Sequence, residues 1–149
     1  MSTAGTIREI LHHKGGTTWT VSPETTVFDA IKLMAEKNIG ALLVLKQNRL
    51  AGIISERDYT RKVVLLGRSS KDTLVNQILS GEVVQVTPEH TVDQCLRLMT
   101  EHRVRHLPVV ENGKLIDIIS IGDLVRWIIA TQRMTIEQLE KYIAGGYPG

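Results

Sequence analysis

Apolar residues along this chain change period in a fixed order. From Trp19 to Val21 they form a short run that stops at Ser22-Pro23. Val27, Ala30, Ile31 and Met34 then fall at i, i+3, i+4 and i+7, the stripe of an amphipathic helix. Ala41 to Lys46 is a nearly continuous apolar run and reads as a strand. The polar turn KQNR follows, and Leu50 to Ser55 reads as the return strand, with a second helix starting near Glu56. The same order then recurs. Val83 to Val86 predicts a short strand ending at Thr-Pro, and Val92, Cys95, Leu96 and Met99 repeat the helical stripe. Leu107 to Glu111 and Leu115 to Ser120 are the second strand pair, and a helix is predicted from Ile121. Between those strands Asn112-Gly113 is a strong hairpin signal, because both residues tolerate positive φ. Thr26 and Thr91 stand where helix N-caps are needed.

The recurrence is an internal repeat. Ser22 to Asp58 lies over Thr87 to Asp123 at a constant offset of 65, without a gap. Pro23/Pro88, Thr26/Thr91, Met34/Met99, Ser55/Ser120, Asp58/Asp123 and Arg61/Arg126 all match. A shorter helix precedes each repeat, since IREIL from Ile7 resembles VNQIL from Val75, at offset 68; the three extra residues are assigned to a loop at HHKGG. The predicted fold class is α/β (α+β), with two pseudo-symmetric β-α-β-β-α repeats. Their boundaries are 1–66 for the first repeat with its N-terminal helix, 67–72 for a polar linker and 73–131 for the second. Residues 132–149 are read as a separate amphipathic helix, capped by Thr135 and Gln138, and a frayed tail. A repeat of roughly 60 residues buries too little apolar surface to fold with confidence alone. The two are therefore expected to pack through their sheets, with the apolar runs KVVLL and RWIIA buried between repeats or in a homodimer.

Composition narrows the possible functions. With 42% hydrophobic and 23% charged residues the chain is a folded globular protein, and 4% aromatic content makes its core aliphatic. A net charge of +2 gives no one-sided basic field for nucleic acid. No apolar run is long enough to span a membrane, and the N-terminus lacks a secretory apolar segment. The lone Cys95 excludes an intrachain disulfide and fits a reducing, cytoplasmic setting. His12-His13 lacks the i, i+4 spacing of a helical metal pair, and His102 and His106 are split by a helix end, so no metal site is expected.

The repeated Ser-x-x-Asp, in GIISERD and DIISIGD, admits three readings. As local structure it is a capping box. As a catalytic serine it lacks a G-x-S-x-G elbow and a histidine common to both repeats. As a ligand site it sets a hydroxyl and a helix start toward phosphate and a carboxylate toward a ribose. Capping and binding are compatible, and duplication of the pair within a longer repeat favours the ligand.

These two motifs, with RHLPVV ahead of the second hairpin, resemble the cystathionine-β-synthase-type (CBS) domain, here as a tandem pair or Bateman module of the stand-alone bacterial type. The resemblance covers the chain from about Ile7 to Thr131. It implies a non-catalytic module that binds an adenosine nucleotide, AMP foremost and ADP, ATP or NAD beside it, in clefts between repeats. It needs no cofactor and acts on an unknown target protein. The alternatives are a protein–protein adaptor with vestigial clefts and, in a third class, a nucleotide hydrolase. One cleft would join Ser55, Arg57 and Asp58 with Val83, Val84, Val104, Arg105 and His106. The other would join Ser120 and Asp123 with Thr18, Trp19, Ile39, Gly40 and Ala41. Arg57, Arg105 and His106 make the Asp58 cleft the expected phosphate site, because the second has Gly122, Gly40 and Ala41 in their places. Asp117 replaces the motif glycine seen at Gly52, and would repel phosphate or face solvent. Trp19 would stack on a base or serve as packing.

Overall fold

The computed structural model describes residues 5–14, 18–79 and 83–144, with side chains through residue 132. Helices and strands are mixed, in the α+β manner the periodicity implies. The order is α1 (Ile7–Lys14), β1 (Thr20–Val21), α2 (Val27–Lys37), β2 (Ala41–Lys46), β3 (Arg49–Ser55) and α3 (Glu56–Tyr59). A π turn (Thr60–Val64) and a 3-10 turn (Val75–Gln77) follow, then α4 (Val92–His102), β4 (His106–Glu111), β5 (Lys114–Ser120) and α5 (Ile121–Ala144). β1 pairs parallel with β2, and β2 antiparallel with β3, from Ala41 opposite Ser55 to Lys46 opposite Arg49. β4 pairs with β5. The strand expected at Val83 to Val86 is reduced to a single bridge, Val86 beside Val109.

The caps follow the sequence. Thr26 accepts the Asp29 N–H, and Thr91 forms a full box with Gln94. Asn38 and Arg103, at equivalent places, end α2 and α4 in the left-handed region with φ of 55° and 54°. The hairpin at Asn112 and Gly113 turns with positive φ at both residues, as the dipeptide requires.

Two compact units emerge, one of Gly16–Val86 with Pro108–Ile118, the other of Met1–Gly15, Thr87–Leu107 and Ile119–Gly149. In the first, Val27, Ala30, Met34, Leu42, Val44, Ile54, Val63, Val75 and Ile78 form one buried cluster. In the second, Ile7, Ile10, Val92, Cys95, Met99, Leu107, Ile119 and Leu124 are buried. Seven of these pair by the repeat register, from Ile7 with Val75 to Ile119 with Ile54, and none is aromatic. Burial of one such side chain stabilises by about 1.5–3 kcal/mol.

The leading segments dock by one rule. In the second unit Ile7 and Arg8 donate to the carbonyls of His90 and Pro88 (2.9 and 2.8 Å), and Val92 donates to Gly5 (3.2 Å). In the first, Val75 and Asn76 donate to Thr25 and Pro23 (2.8 and 3.0 Å), and Val27 donates to Thr73 (2.8 Å). So α1, which precedes the first repeat in sequence, belongs with the second repeat's helix cap, and the Val75 turn belongs with the first's. The expected helix at VNQIL is one 3-10 turn, and the residues His12, His13 and Lys14 assigned to a loop are the last turn of α1. The separate helix from Thr135 is also corrected, because α5 runs unbroken from Ile121 to Ala144. No glycine or proline lies between Asp123 and Thr135, so nothing stops that helix. The tail Gly145 to Gly149 lies outside the described residues.

Candidate functional site

Each motif sits where a hairpin's return strand passes into a helix. Ser55 ends β3 in extended conformation. Its N–H donates to Asp58 Oδ2 (2.9 Å), its hydroxyl lies 3.0 Å from the same oxygen, and Asp58 N–H donates to Ser55 Oγ (3.2 Å). Ser120 and Asp123 repeat the box, with Ser120 N–H to Oδ2 at 2.9 Å and Asp123 N–H to Ser120 Oγ at 3.1 Å. The capping reading is therefore correct in both repeats. The Ser55 hydroxyl donates to its own aspartate rather than to a histidine, which is not the arrangement of a nucleophile awaiting a base. All four side chains are half-buried.

The strand starts join the motifs of their own hairpins. Glu56 N–H donates to the Gly40 carbonyl (3.0 Å) and Ile121 N–H to the Arg105 carbonyl (2.8 Å). Ala41 lies opposite Ser55. Ile39 and Val104 donate to Met34 and Met99 (3.0 Å each) and fix the turn before each strand. The expected grouping put Val104, Arg105 and His106 with Asp58, and Ile39, Gly40 and Ala41 with Asp123. Within its own unit, each triplet lies beside its own repeat's motif. The reason is elementary: an antiparallel hairpin sets its first residue beside its last.

Charge at the two motifs changes accordingly. Asp123 has a side chain only 11% exposed, and it meets two cations, Arg126 Nη2 at 2.7 Å on Oδ1 and Lys14 Nζ at 3.3 Å on Oδ2. Burial pushes its carboxyl pKa up, but the Ser120 N–H, the Lys14 ammonium, the Ser120 hydroxyl and the Arg126 guanidinium outweigh burial and hold it below the ordinary value. His106 lies within electrostatic reach of Asp123; burial lowers its pKa, Asp123 opposes, and Lys14 and Arg105 add to the lowering. Both cations come from positions other than those of Gly122, Gly40 and Ala41. Asp58 meets Lys62 of its own helical segment at 3.5 Å, and Lys62 also donates to the Ile78 carbonyl (3.0 Å). Arg57 and Arg105 are exposed. Lys14 gave no signal in the repeat comparison, because it lies outside the stretch that aligns at offset 65.

Other named residues have definite places. Asp117 neither faces solvent nor stands idle: its Oδ1 accepts the Thr18 hydroxyl (3.0 Å) and the Ile118 N–H (2.7 Å). Gly52, its counterpart, lies under Leu79, whose Cδ2 would stand 3.1 Å from an added Cβ. Trp19 is 37% exposed, with the Lys37 ammonium 4.2 Å from its ring centre. Val83 and Val84 are half-buried ahead of the Val86 bridge. Among the described residues no group of His, Cys, Asp and Glu is placed to hold a metal, and no helix is long and apolar enough to cross a membrane. The Cys95 thiol is buried, which pushes its pKa up to about 11.

Comparison with known proteins fits this geometry. The family model of the CBS domain matches residues 17–65 and 75–130. The CBS domain-containing protein CBSX3, mitochondrial, of Arabidopsis thaliana is 43% identical over 95% of this chain and 73% of its own length. The CBS domain-containing protein YhcV of Bacillus subtilis is 35% identical over 70% of this chain and 74% of its own. Among solved structures, a protein with CBS domains from Burkholderia ambifaria MC40-6 superposes with a TM-score of 0.82 at 55% identity, covering 86% of this chain and 96% of that one. The chain belongs to the CBS domain family, as a tandem pair of a kind that is in general regulatory and non-catalytic and often binds ligands.

Proposed function

We propose that the chain is a non-catalytic module whose Ser-x-x-Asp motifs bind an adenosine nucleotide and report it to a partner protein. AMP is the first ligand to test, with ADP, ATP and NAD beside it. The observation that carries this reading is the duplicated carboxylate, held in both repeats by its serine's N–H at 2.9 Å. At Asp58 that grip uses Oδ2, while Oδ1 lies 3.5 Å from Lys62 Nζ. A carboxylate oxygen fixed in this way accepts the hydroxyls of a ribose, as in dinucleotide folds. Arg57, exposed and adjacent to Asp58, is the cation for the phosphate, and charge-assisted bonds of that kind are the strong ones. Gly40 and Ala41 offer a low wall beside Ser55, and Thr18, Trp19, Val83 and Val84 are the candidates for contact with the base. In the second repeat Arg105 and His106 take the corresponding places beside Ser120 and Asp123.

Part of the output is proposed to pass through a homodimer. Val64, Leu65 and Leu66 after α3, and Ile121, Val125 and Ile129 on α5, are large apolar side chains left exposed. Burying them against a second copy would remove apolar area from water. A cytoplasmic setting belongs to the same reading, with the buried Cys95 as an inert thiol.

The adaptor reading has one observation in its favour. Both oxygens of Asp123 are already taken by protein groups. Isothermal titration with the four nucleotides, on the wild type and on Asp58→Ala and Asp123→Ala, separates the two. Heat with at least one nucleotide, lost in an Asp→Ala variant, supports the sensor. No heat with any of them sinks it and leaves the adaptor.

A further inference from the structure

We propose that Lys14 is a lock on Asp123, so that a ligand taking this carboxylate must displace Lys14 and free the C-terminal end of α1. The ligand half of this proposal rests on the nucleotide reading above. The side chain of Asp123 is 11% exposed and both its oxygens are engaged: Oδ2 by Ser120 N–H and Lys14 Nζ, Oδ1 by Arg126. A ribose needs those same lone pairs. Arg126 belongs to α5 itself, and its side chain is 73% exposed, so it leaves at little cost. Lys14 comes from a different element, and its side chain is 26% exposed. Removing it changes what holds that element.

The attachment of α1 is uneven. Its start is pinned by the buried Ile7 and Ile10 and by the bonds of Ile7 and Arg8 to His90 and Pro88. Its last turn is held to α5 by Lys14 on Asp123 and by the His13 ring, 5.8 Å from Trp127. Loss of the Lys14 contact therefore loosens one end of a helix whose other end stays fixed, a change a partner can read. Asp58 is built differently. Its cation, Lys62, lies four residues along its own helical segment rather than on α1.

The test has two arms on the full chain. Without ligand, hydrogen exchange across Ile7–Lys14 is compared in wild type, Lys14→Met, Lys14→Arg and Asp123→Asn. The lock predicts several-fold faster exchange in the last turn of α1 for Lys14→Met and Asp123→Asn, with Lys14→Arg close to wild type. Unchanged exchange in Lys14→Met overturns it. In the second arm, AMP is titrated into Asp58→Ala with and without Lys14→Met. Removing the lock should tighten binding about 10-fold, or ~1.4 kcal/mol. Equal or weaker binding overturns the ligand half. If AMP, ADP, ATP and NAD bind neither protein nor the wild type, the nucleotide reading falls and the ligand half with it. The exchange arm then decides the lock by itself.

Discussion

Asp123→Asn isolates the charge on the second motif without changing its shape. Asparagine keeps one carbonyl oxygen for the Ser120 N–H, so the cap survives as a neutral bond. A hydrogen bond to a charged group is worth about 1.5–3 kcal/mol and a neutral one about 0.5–1.5, so roughly 1 kcal/mol is lost there. The Arg126 pair is mostly exposed, with a side chain 73% accessible, and adds at most about 0.5 kcal/mol after screening. Lys14, with its side chain 26% exposed, adds roughly 0.5–1 kcal/mol. Relief of burying a carboxylate works the other way and brings the net cost to about 1–2 kcal/mol. For a chain near this length that is a fall in Tm of about 3–6 °C. The effect must also depend on pH. The folded-state pKa of Asp123 lies below its unfolded value, so its contribution is present above the unfolded pKa and vanishes as pH falls through the folded one. Thermal melts of both proteins from pH 7 to pH 3 should show a gap at neutral pH that closes below about pH 4. Equal Tm at pH 7, or a gap that persists unchanged at pH 3, refutes the ion-pair account.

Three further outcomes follow from the geometry. Gly52→Ala puts a Cβ 3.1 Å from Leu79 Cδ2, so Leu79 must shift; the expected cost is about 1 kcal/mol, read by denaturant melts, and a neutral result would show that Leu79 yields freely. His106 has a lowered folded-state pKa, so the folded protein prefers it neutral; stability should fall as pH drops from 7 through the ordinary imidazole value, and His106→Gln should flatten that slope in a pH series of melts. Cys95, with its pKa raised to about 11, should react with a thiol reagent at pH 7.5 only as fast as the protein opens; immediate reaction in the folded state contradicts its burial.

Much of the architecture was legible because the repeat keeps strict register. Helix stripes, caps and hairpin turns are local patterns, and two copies of each pattern checked one another. Thr26 with Thr91 and Ser55 with Ser120 are caps because short side-chain oxygens suit the free N–H groups at a helix start. The errors arose where the register stops. The offset changes from 65 to 68 ahead of the repeats, and there a loop was expected in place of the last turn of α1. At Val83 to Val86 three valines read as a strand, but among the described residues only Val86 forms a bridge, since strand propensity forms no ladder without a partner edge. At Thr135 a local capping pattern gave way to an uninterrupted run of helix formers.

The two motifs differ in what surrounds their carboxylates. Hairpin geometry puts the start of β4, Arg105 and His106, beside the end of β5. The cations that meet Asp123 are Lys14 of α1 and Arg126 of α5, with the buried His106 ring within electrostatic reach. The two halves of the repeat therefore differ for a reason opposite to the one their motif sequences suggest. GIISERD carries its own arginine, and Oδ1 of Asp58 meets only the looser Lys62 contact at 3.5 Å among the described residues. DIISIGD carries none in the intervening positions, yet its aspartate is the more heavily paired, because the segment ahead of the first repeat docks in the unit of the second. Duplication supplied two equal carboxylates, and the exchange of leading segments made them unequal. Under the proposed nucleotide reading, a ligand at Asp123 has to displace Lys14 of α1, whereas one at Asp58 meets Lys62 of the same helical segment.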